Sequence, residues 1–219
     1  CYDKYMKKSF QNYAESHGKP ELGQGYPHDA PLYNQSPNDA GFFHENYGSW
    51  KTPSGELFLS WYSGELLAHG NRMLNVVSSI FQKDRVVVVG SVPGVHWWYR
   101  SKSHAAEVTA GYYNIDGKDG YDKIARMFTE NSAMMLLPCM EMSDKEQPQE
   151  AKCSPEMLLL QIRGACSKHG VPVSGQNSIP RFDDVAYSRI KNSIHRFDYP
   201  FIPRLVVFTF LRMGESLFY

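Results

Sequence analysis

The sequence predicts an α/β fold built from four strand-and-helix units, half of an eight-unit barrel, and two patterns carry that expectation. Four short runs are apolar on both faces: Val86 to Gly90, Met134 to Met140, Val171 to Gln176, and Leu205 to Leu211. Antiparallel surface strands alternate apolar and polar residues, so unbroken runs point to buried parallel strands. Stretches of helical period separate these runs, and such alternation implies crossover connections between parallel neighbours.

In chain order, residues 17 to 56 come before the first clear helix and are dense in Gly, Pro, Asn and Tyr without a clean period. A stretch of that length with no regular structure reads as a functional loop rather than a linker. Phe58 to Phe81 then carries Leu59, Tyr62, Leu66, Leu67, Met73, Leu74 and Val77 at helical spacing. Tyr121 to Thr129, Pro155 to Cys166 and Asp183 to Ile194 repeat that pattern, with Ser154-Pro155 and Asp183 as helix starts. Residues 1–219 are expected to be part of one domain, without internal repeats or low-complexity tracts. Four units alone leave two unpaired strand edges and an open core face. The polypeptide is therefore expected to continue upstream or to need a partner, and Cys1 in place of a methionine points upstream.

Composition narrows the function. Lysine plus arginine equal aspartate plus glutamate at 23 each, so no basic surplus exists for a phosphate backbone or an anionic membrane. No nucleic-acid partner is expected. No apolar run nears the ~20 residues that span a bilayer, so no membrane partner is expected either. Cys1, Cys139, Cys153 and Cys166 show no Cys-x-x-Cys spacing and no zinc pattern with the scattered histidines, which predicts reduced structural thiols and no metal or other cofactor.

Parallel barrels place their working residues at the C-terminal ends of strands and in the loops that follow. The first strand leads into Val95-His96-Trp97-Trp98-Tyr99 and then Ser103-His104-Ala105-Ala106-Glu107. Adjacent tryptophans are either flat platforms for a sugar ring, with His96 turned to hydroxyls, or a core aromatic cluster. The second strand leads into Met140-Glu141-Met142-Ser143-Asp144-Lys145-Glu146-Gln147-Pro148. One of these carboxylates could orient a neighbour or accept from a ligand hydroxyl, and the rest read as a solvated loop. The third strand ends in Ser174-Gly175-Gln176-Asn177-Ser178-Ile179-Pro180-Arg181-Phe182-Asp183, either a pair of sugar-binding amides or a turn before a helix. After the fourth strand, Arg212 is either a ligand contact or an ion-pair partner for Glu141.

Together these runs resemble the plant β-amylases of glycoside hydrolase family 14. The resemblance rests on Gly41-Phe42-Phe43, Leu59-Ser60-Trp61-Tyr62-Ser63, His69-Gly70, Gly94 to Tyr99, His104 to Glu107, Thr109 to Asn114, Asp119-Gly120-Tyr121, Ile124 to Met127 and Glu146-Gln147-Pro148, all in the family's order. Cys1 to Tyr5 is similar to an internal family segment, so the chain would be the C-terminal half of the barrel. The resemblance implies a (β/α)8 barrel that removes maltose from the non-reducing ends of α-1,4-glucans with inversion. Inversion needs a carboxylic acid for the leaving oxygen and a second carboxylate to deprotonate water, ~6.5–9.5 Å apart.

The family's acid precedes the point matching Cys1. Its base is the glutamate of a Gly-Glu-Asn-Ala-Leu-Pro-Arg-Tyr segment, where this chain has Gly175-Gln176-Asn177-Ser178-Ile179-Pro180-Arg181-Phe182. Glutamine can position a water but cannot take its proton, and general-base assistance is typically worth about 10²–10⁴-fold. Two further departures fall on the family's sugar contacts. Ser91 replaces a lysine, and Pro138 replaces the threonine of a mobile inner loop, losing a hydroxyl and fixing φ. His96, Trp97, Glu141, Asn177 and Arg212 keep the family identity, and the resemblance implies substrate-binding positions at these five and at Ser91, Pro138 and Ser178. The expectation is a non-catalytic relative, its partner an α-1,4-glucan or maltodextrin or a protein of starch metabolism. The alternative is an active maltose-releasing enzyme. The resemblance implies a plastid location.

Overall fold

The computed structural model describes residues 3–32, 35–39, 41–115, 117–179, 181–195 and 205–211. Its helices are α1 (Lys4–Ser16), α2 (Pro53–Phe81), α3 (Ala105–Thr109), α4 (Gly120–Glu130), α5 (Pro155–His169) and α6 (Asp184–His195). Strands β1 (Val89–Ser91), β2 (Met134–Leu137), β3 (Val173–Gln176) and β4 (Leu205–Thr209) form one all-parallel sheet in the order β1-β2-β3-β4. All four expected strands are present, each preceded by a helix. β1 begins three residues later than the apolar run suggests, because only the residues opposite β2 find a ladder partner.

Local chemistry sets the helix ends. The Asp3 carboxylate accepts from the Tyr5 and Met6 amides to start α1, and Asp119 does the same for Tyr121 and Asp122 at α4. Thr52 caps α2 ahead of Pro53, so that helix opens five residues before the expected Phe58. Asp183 accepts from the Ala186 amide at 2.8 Å, as its place before α6 predicts. Gly170 ends α5 at φ 68°, where a side chain would be strained. α1 is absent from the sequence expectations: its pattern is mostly polar, and only Phe10 and Ala14 are buried, against Leu57 and Trp61 of α2.

The helices cover one face of the sheet. Ile124, Ala125 and Phe128 of α4 and Leu158, Ile162 and Cys166 of α5 pack with Met135, Leu137 and Val173. A Cβ on Gly90 would lie 2.7 Å from the Phe128 ring, and Cys166 Sγ lies 3.5 Å from Met135 Sδ, so these positions point at the helices. Strand alternation then turns Ser91, Leu136, Ser174, Gln176 and Thr209 to the opposite face. The register sets Ser91 beside Leu136, Leu136 beside Ser174, and Gln176 beside Thr209. That face is open, with Val87, Val89 and Val207 at 67%, 48% and 53% exposure.

The described residues of 17–52 contain three short 3₁₀ turns, at Pro20–Leu22, Pro37–Asp39 and Ser49–Lys51. Phe42, Phe43 and Trp50 anchor the stretch in a second core with Leu59, Val108 and Ile115. The segment is irregular in backbone yet fixed by aromatic burial.

Candidate functional site

The residues singled out in the sequence gather at the C-terminal ends of β1, β2 and β3. Ser91 ends β1 on the open face and is exposed. The next loop carries His96 and Trp97, both half-buried, with ring centroids 5.6 Å apart and edge to face. Trp97 and Trp98 are half-buried and pack partly against the main core, so core packing accounts for part of each ring. Burial depresses the His96 pKa below its ordinary value, against a smaller opposing pull from Asp144. His96 Nδ1 is buried and has no hydrogen-bond partner among the described residues.

A pseudo-strand pairing ties this loop down. The Trp98 amide donates to Ala151 O at 2.8 Å, the Arg100 amide to Lys152 O at 3.0 Å, and the Ser154 amide to His96 O at 2.9 Å. Asp144 reinforces it, accepting from Arg100 Nη2, Ser154 Oγ and the Glu156 amide at 2.7, 2.7 and 3.0 Å.

The carboxylates after β2, apart from one candidate, read in sequence as a solvated loop; the structure corrects that. Glu141 is fully buried, and its Oε1 accepts from the Ser178 and Ile179 amides at 2.7 Å each. Asp144 holds the aromatic loop and the start of α5. Glu146 is exposed yet accepts from Arg181 and Arg189 at 2.8 and 2.6 Å, and those arginines hold its carboxyl below the usual range. Three carboxylates within six residues thus fasten three neighbouring segments. The signal was present in the sequence as acidic residues spaced along one loop, but their partners include backbone N–H groups, which leave no residue signature.

The two amides after β3 separate in role. Gln176 ends the strand on the open face, half-buried, and its side chain makes no protein hydrogen bond among the described residues. Asn177 is fully buried. Its Nδ2 donates to Ile179 O and Leu211 O at 3.0 and 3.1 Å, and its Oδ1 accepts from the Leu211 amide at 2.6 Å. Asn177 therefore pins the end of β3 to the residues after β4, and both its amide hydrogens are engaged. Pro138 follows β2, half-buried, and Ser178 lies across from it, its Oγ accepting from the Cys139 amide at 2.9 Å. Arg212 lies outside the described residues, as does any pairing between it and Glu141.

Chemically, the arrangement sets aromatic and amide groups at the C-terminal ends of β1 and β3. Of the described carboxylates at this loop, Glu141 has Oε1 engaged by two amides, while Glu146 and Asp183 are paired with Arg181. Among the described residues no cluster of three His, Cys, Asp or Glu side chains could hold a metal.

The sequence profile of glycosyl hydrolase family 14 matches residues 1–219, the whole chain. The chain belongs to glycosyl hydrolase family 14. Its family 14 relatives include the rice protein named "Beta-amylase 1, chloroplastic", 45% identical over 220 residues, which cover 100% of this chain and 41% of the relative. "Inactive beta-amylase 9" of Arabidopsis thaliana is 42% identical over 221 residues, 100% of this chain and 40% of that protein. The family 14 chain thus spans about two fifths of the length of these curated relatives. The crystal structure of the catalytic domain of β-amylase from Paenibacillus polymyxa superposes with a TM-score of 0.74 at 23% identity, covering 96% of this chain and 49% of that one. That likeness establishes the fold: the four units are part of a (β/α)8 barrel.

A further feature of this family 14 chain went unread in the sequence. Glu107, fully buried behind the aromatic loop, accepts from Tyr121 Oη at 2.6 Å and pairs with His104 Nδ1. Burial and the Glu107 charge push the Tyr121 pKa up, so its proton stays available for donation. The sequence carried Glu107 and His104 inside a matched motif, but the buried tyrosine fourteen residues on gives no local pattern.

Proposed function

We propose that this chain is the C-terminal half of a β-amylase-type barrel, in a protein of starch metabolism that binds α-1,4-glucan without hydrolysing it. The observation that carries the proposal is Gln176, a carboxamide on the open face at the end of β3, where the family resemblance assigns the water-activating carboxylate. An amide has no basic lone pair for water's proton, which removes a factor of about 10²–10⁴ from the rate. Ser91 and Pro138 act in the same direction by deleting a cation and a hydroxyl from the cleft. His96 and Trp97 remain at its rim, and they supply the hydrogen-bonding and stacking surface for glucose rings.

An active enzyme would need another base near the same water. Glu141 is the candidate that the sequence suggests, and its Oε2 has no partner among the described residues. Full burial and two amide bonds to Oε1 speak against it, because the side chain is committed to holding the next loop. A relative named inactive and relatives named β-amylase match this chain at similar identity, so overall likeness favours neither state. The chloroplastic names of several relatives support a plastid location.

The test is maltose release from soluble starch by the full-length protein, beside isothermal calorimetry with maltotetraose. The expected result is measurable binding with turnover at least about a hundredfold below an active relative. Turnover within tenfold of that relative would overturn the proposal, and absence of binding at millimolar maltotetraose would leave only a protein-interaction role.

A further inference from the structure

Three loops meet at Cys139. Its backbone sits at φ 65°, the left-handed region that a Cβ-bearing residue adopts only when its surroundings hold it there. Pro138 precedes it, with φ fixed by its own ring. From the β3 side, Ser178 Oγ accepts from the Cys139 amide at 2.9 Å and lies 3.1 Å from Cys139 Sγ. From the β1 side, Gly94 closes against the same turn: a Cβ there would fall 2.6 Å from Cys139 Sγ and 3.0 Å from Pro138 Cγ. Only a residue without a side chain fits that approach.

Each contact point lies one or two residues from a residue of the candidate site. Gly94 precedes His96, Cys139 precedes Glu141, and Ser178 follows Gln176 and Asn177. Glu141 closes the circuit by accepting from the Ser178 amide at 2.7 Å, so Ser178 is held through its N–H and its hydroxyl at once. Burial pushes the Cys139 thiol up to about 11, which keeps it a neutral packing group rather than a nucleophile.

We infer that Ser178 is a positioning residue rather than a glucan contact: its hydroxyl clasps the Cys139 turn and thereby fixes the spacing between the β1, β2 and β3 loops that form the glucan cleft. The inference rests on the proposed glucan-binding role for what the cleft does, but not for whether the clasp exists.

The test uses the full-length protein and two readouts. Hydrogen exchange should show the Cys139 amide protected in the native protein, and Ser178→Ala should speed its exchange about tenfold, the effect of one ordinary hydrogen bond. Maltotetraose affinity should fall several-fold in the same variant. Ser178→Thr, which keeps the hydroxyl, should restore both. Should Ser178→Ala fail to fold, the native exchange measurement still decides, since rapid exchange at Cys139 overturns the clasp. Unchanged exchange and affinity in a folded Ser178→Ala also overturns it. If the native protein binds no maltotetraose, the glucan-binding proposal fails while the exchange result still judges the clasp.

Discussion

Replacing Glu141 separates a structural anchor from a reacting group. In Glu141→Ala, the Ser178 and Ile179 amides each lose an acceptor now 2.7 Å away. Orphaning a buried donor costs about 1–3 kcal/mol; these amides are partly buried, so about 1 kcal/mol each is the fair figure. Losing a methylene and the carboxyl from a fully buried side chain adds about 1 kcal/mol, for a total near 3 kcal/mol. Glu141→Gln keeps a carbonyl oxygen for both amides and replaces only the unpartnered Oε2, so it should cost about 1 kcal/mol, the charge assistance alone. Urea unfolding of the full-length protein measures both, read from the midpoint at unchanged m. Hydrogen exchange at Ser178 and Ile179 locates the effect. An alanine variant no less stable than the glutamine variant, or one losing under 1 kcal/mol, would refute the anchoring role.

Three other outcomes are expected. Gln176→Glu in the full-length protein should raise maltose release by about 10²-fold or more but stay short of an active relative until Ser91→Lys and Pro138→Thr are added; full recovery from the single change would show that the other two positions carry no weight. Because burial lowers the folded-state pKa of His96, its contribution to stability is fully present above the unfolded value of 6.5 and is lost as pH falls from there through the folded pKa. His96→Asn should flatten that part of the stability–pH curve, and an unchanged slope would assign it to another group. Tyr121→Phe removes the 2.6 Å donor from buried Glu107 and should cost about 2 kcal/mol by urea unfolding, as for hydrogen bonds to charged groups.

The sheet was legible because buried parallel strands favour unbroken apolar runs: Met134 to Leu137 is apolar throughout, whereas in β3 Val173 meets the helix-side core and Ser174 turns to the other face. β1 shows the limit of the pattern. Val86 and Val87 look like strand interior but are exposed and unpaired, since an apolar run records what a residue prefers and not whether a neighbour is present. α1 was missed for the opposite reason: it buries little, and propensity alone is a weak guide in a polar stretch. At the candidate site, residue types gave the positions but not the partners. Gln176 and Asn177 look alike as neighbouring amides, and only the fold reveals that one meets the open face while the other is spent on Leu211. Glu141 binds backbone N–H groups, which every sequence contains and none advertises.

The exposed valines at the sheet bear on how the protein can be handled. Val87, Val89 and Val207 are exposed, Val89 and Val207 on β1 and β4, which have no further strand partner among the described residues. Expressed by itself, the 219-residue polypeptide would present a greasy template to its own copies, and strand addition between molecules would compete with solubility. Co-expression with the remaining barrel strands, rather than detergent or refolding screens, is the physically sensible route to a monodisperse sample.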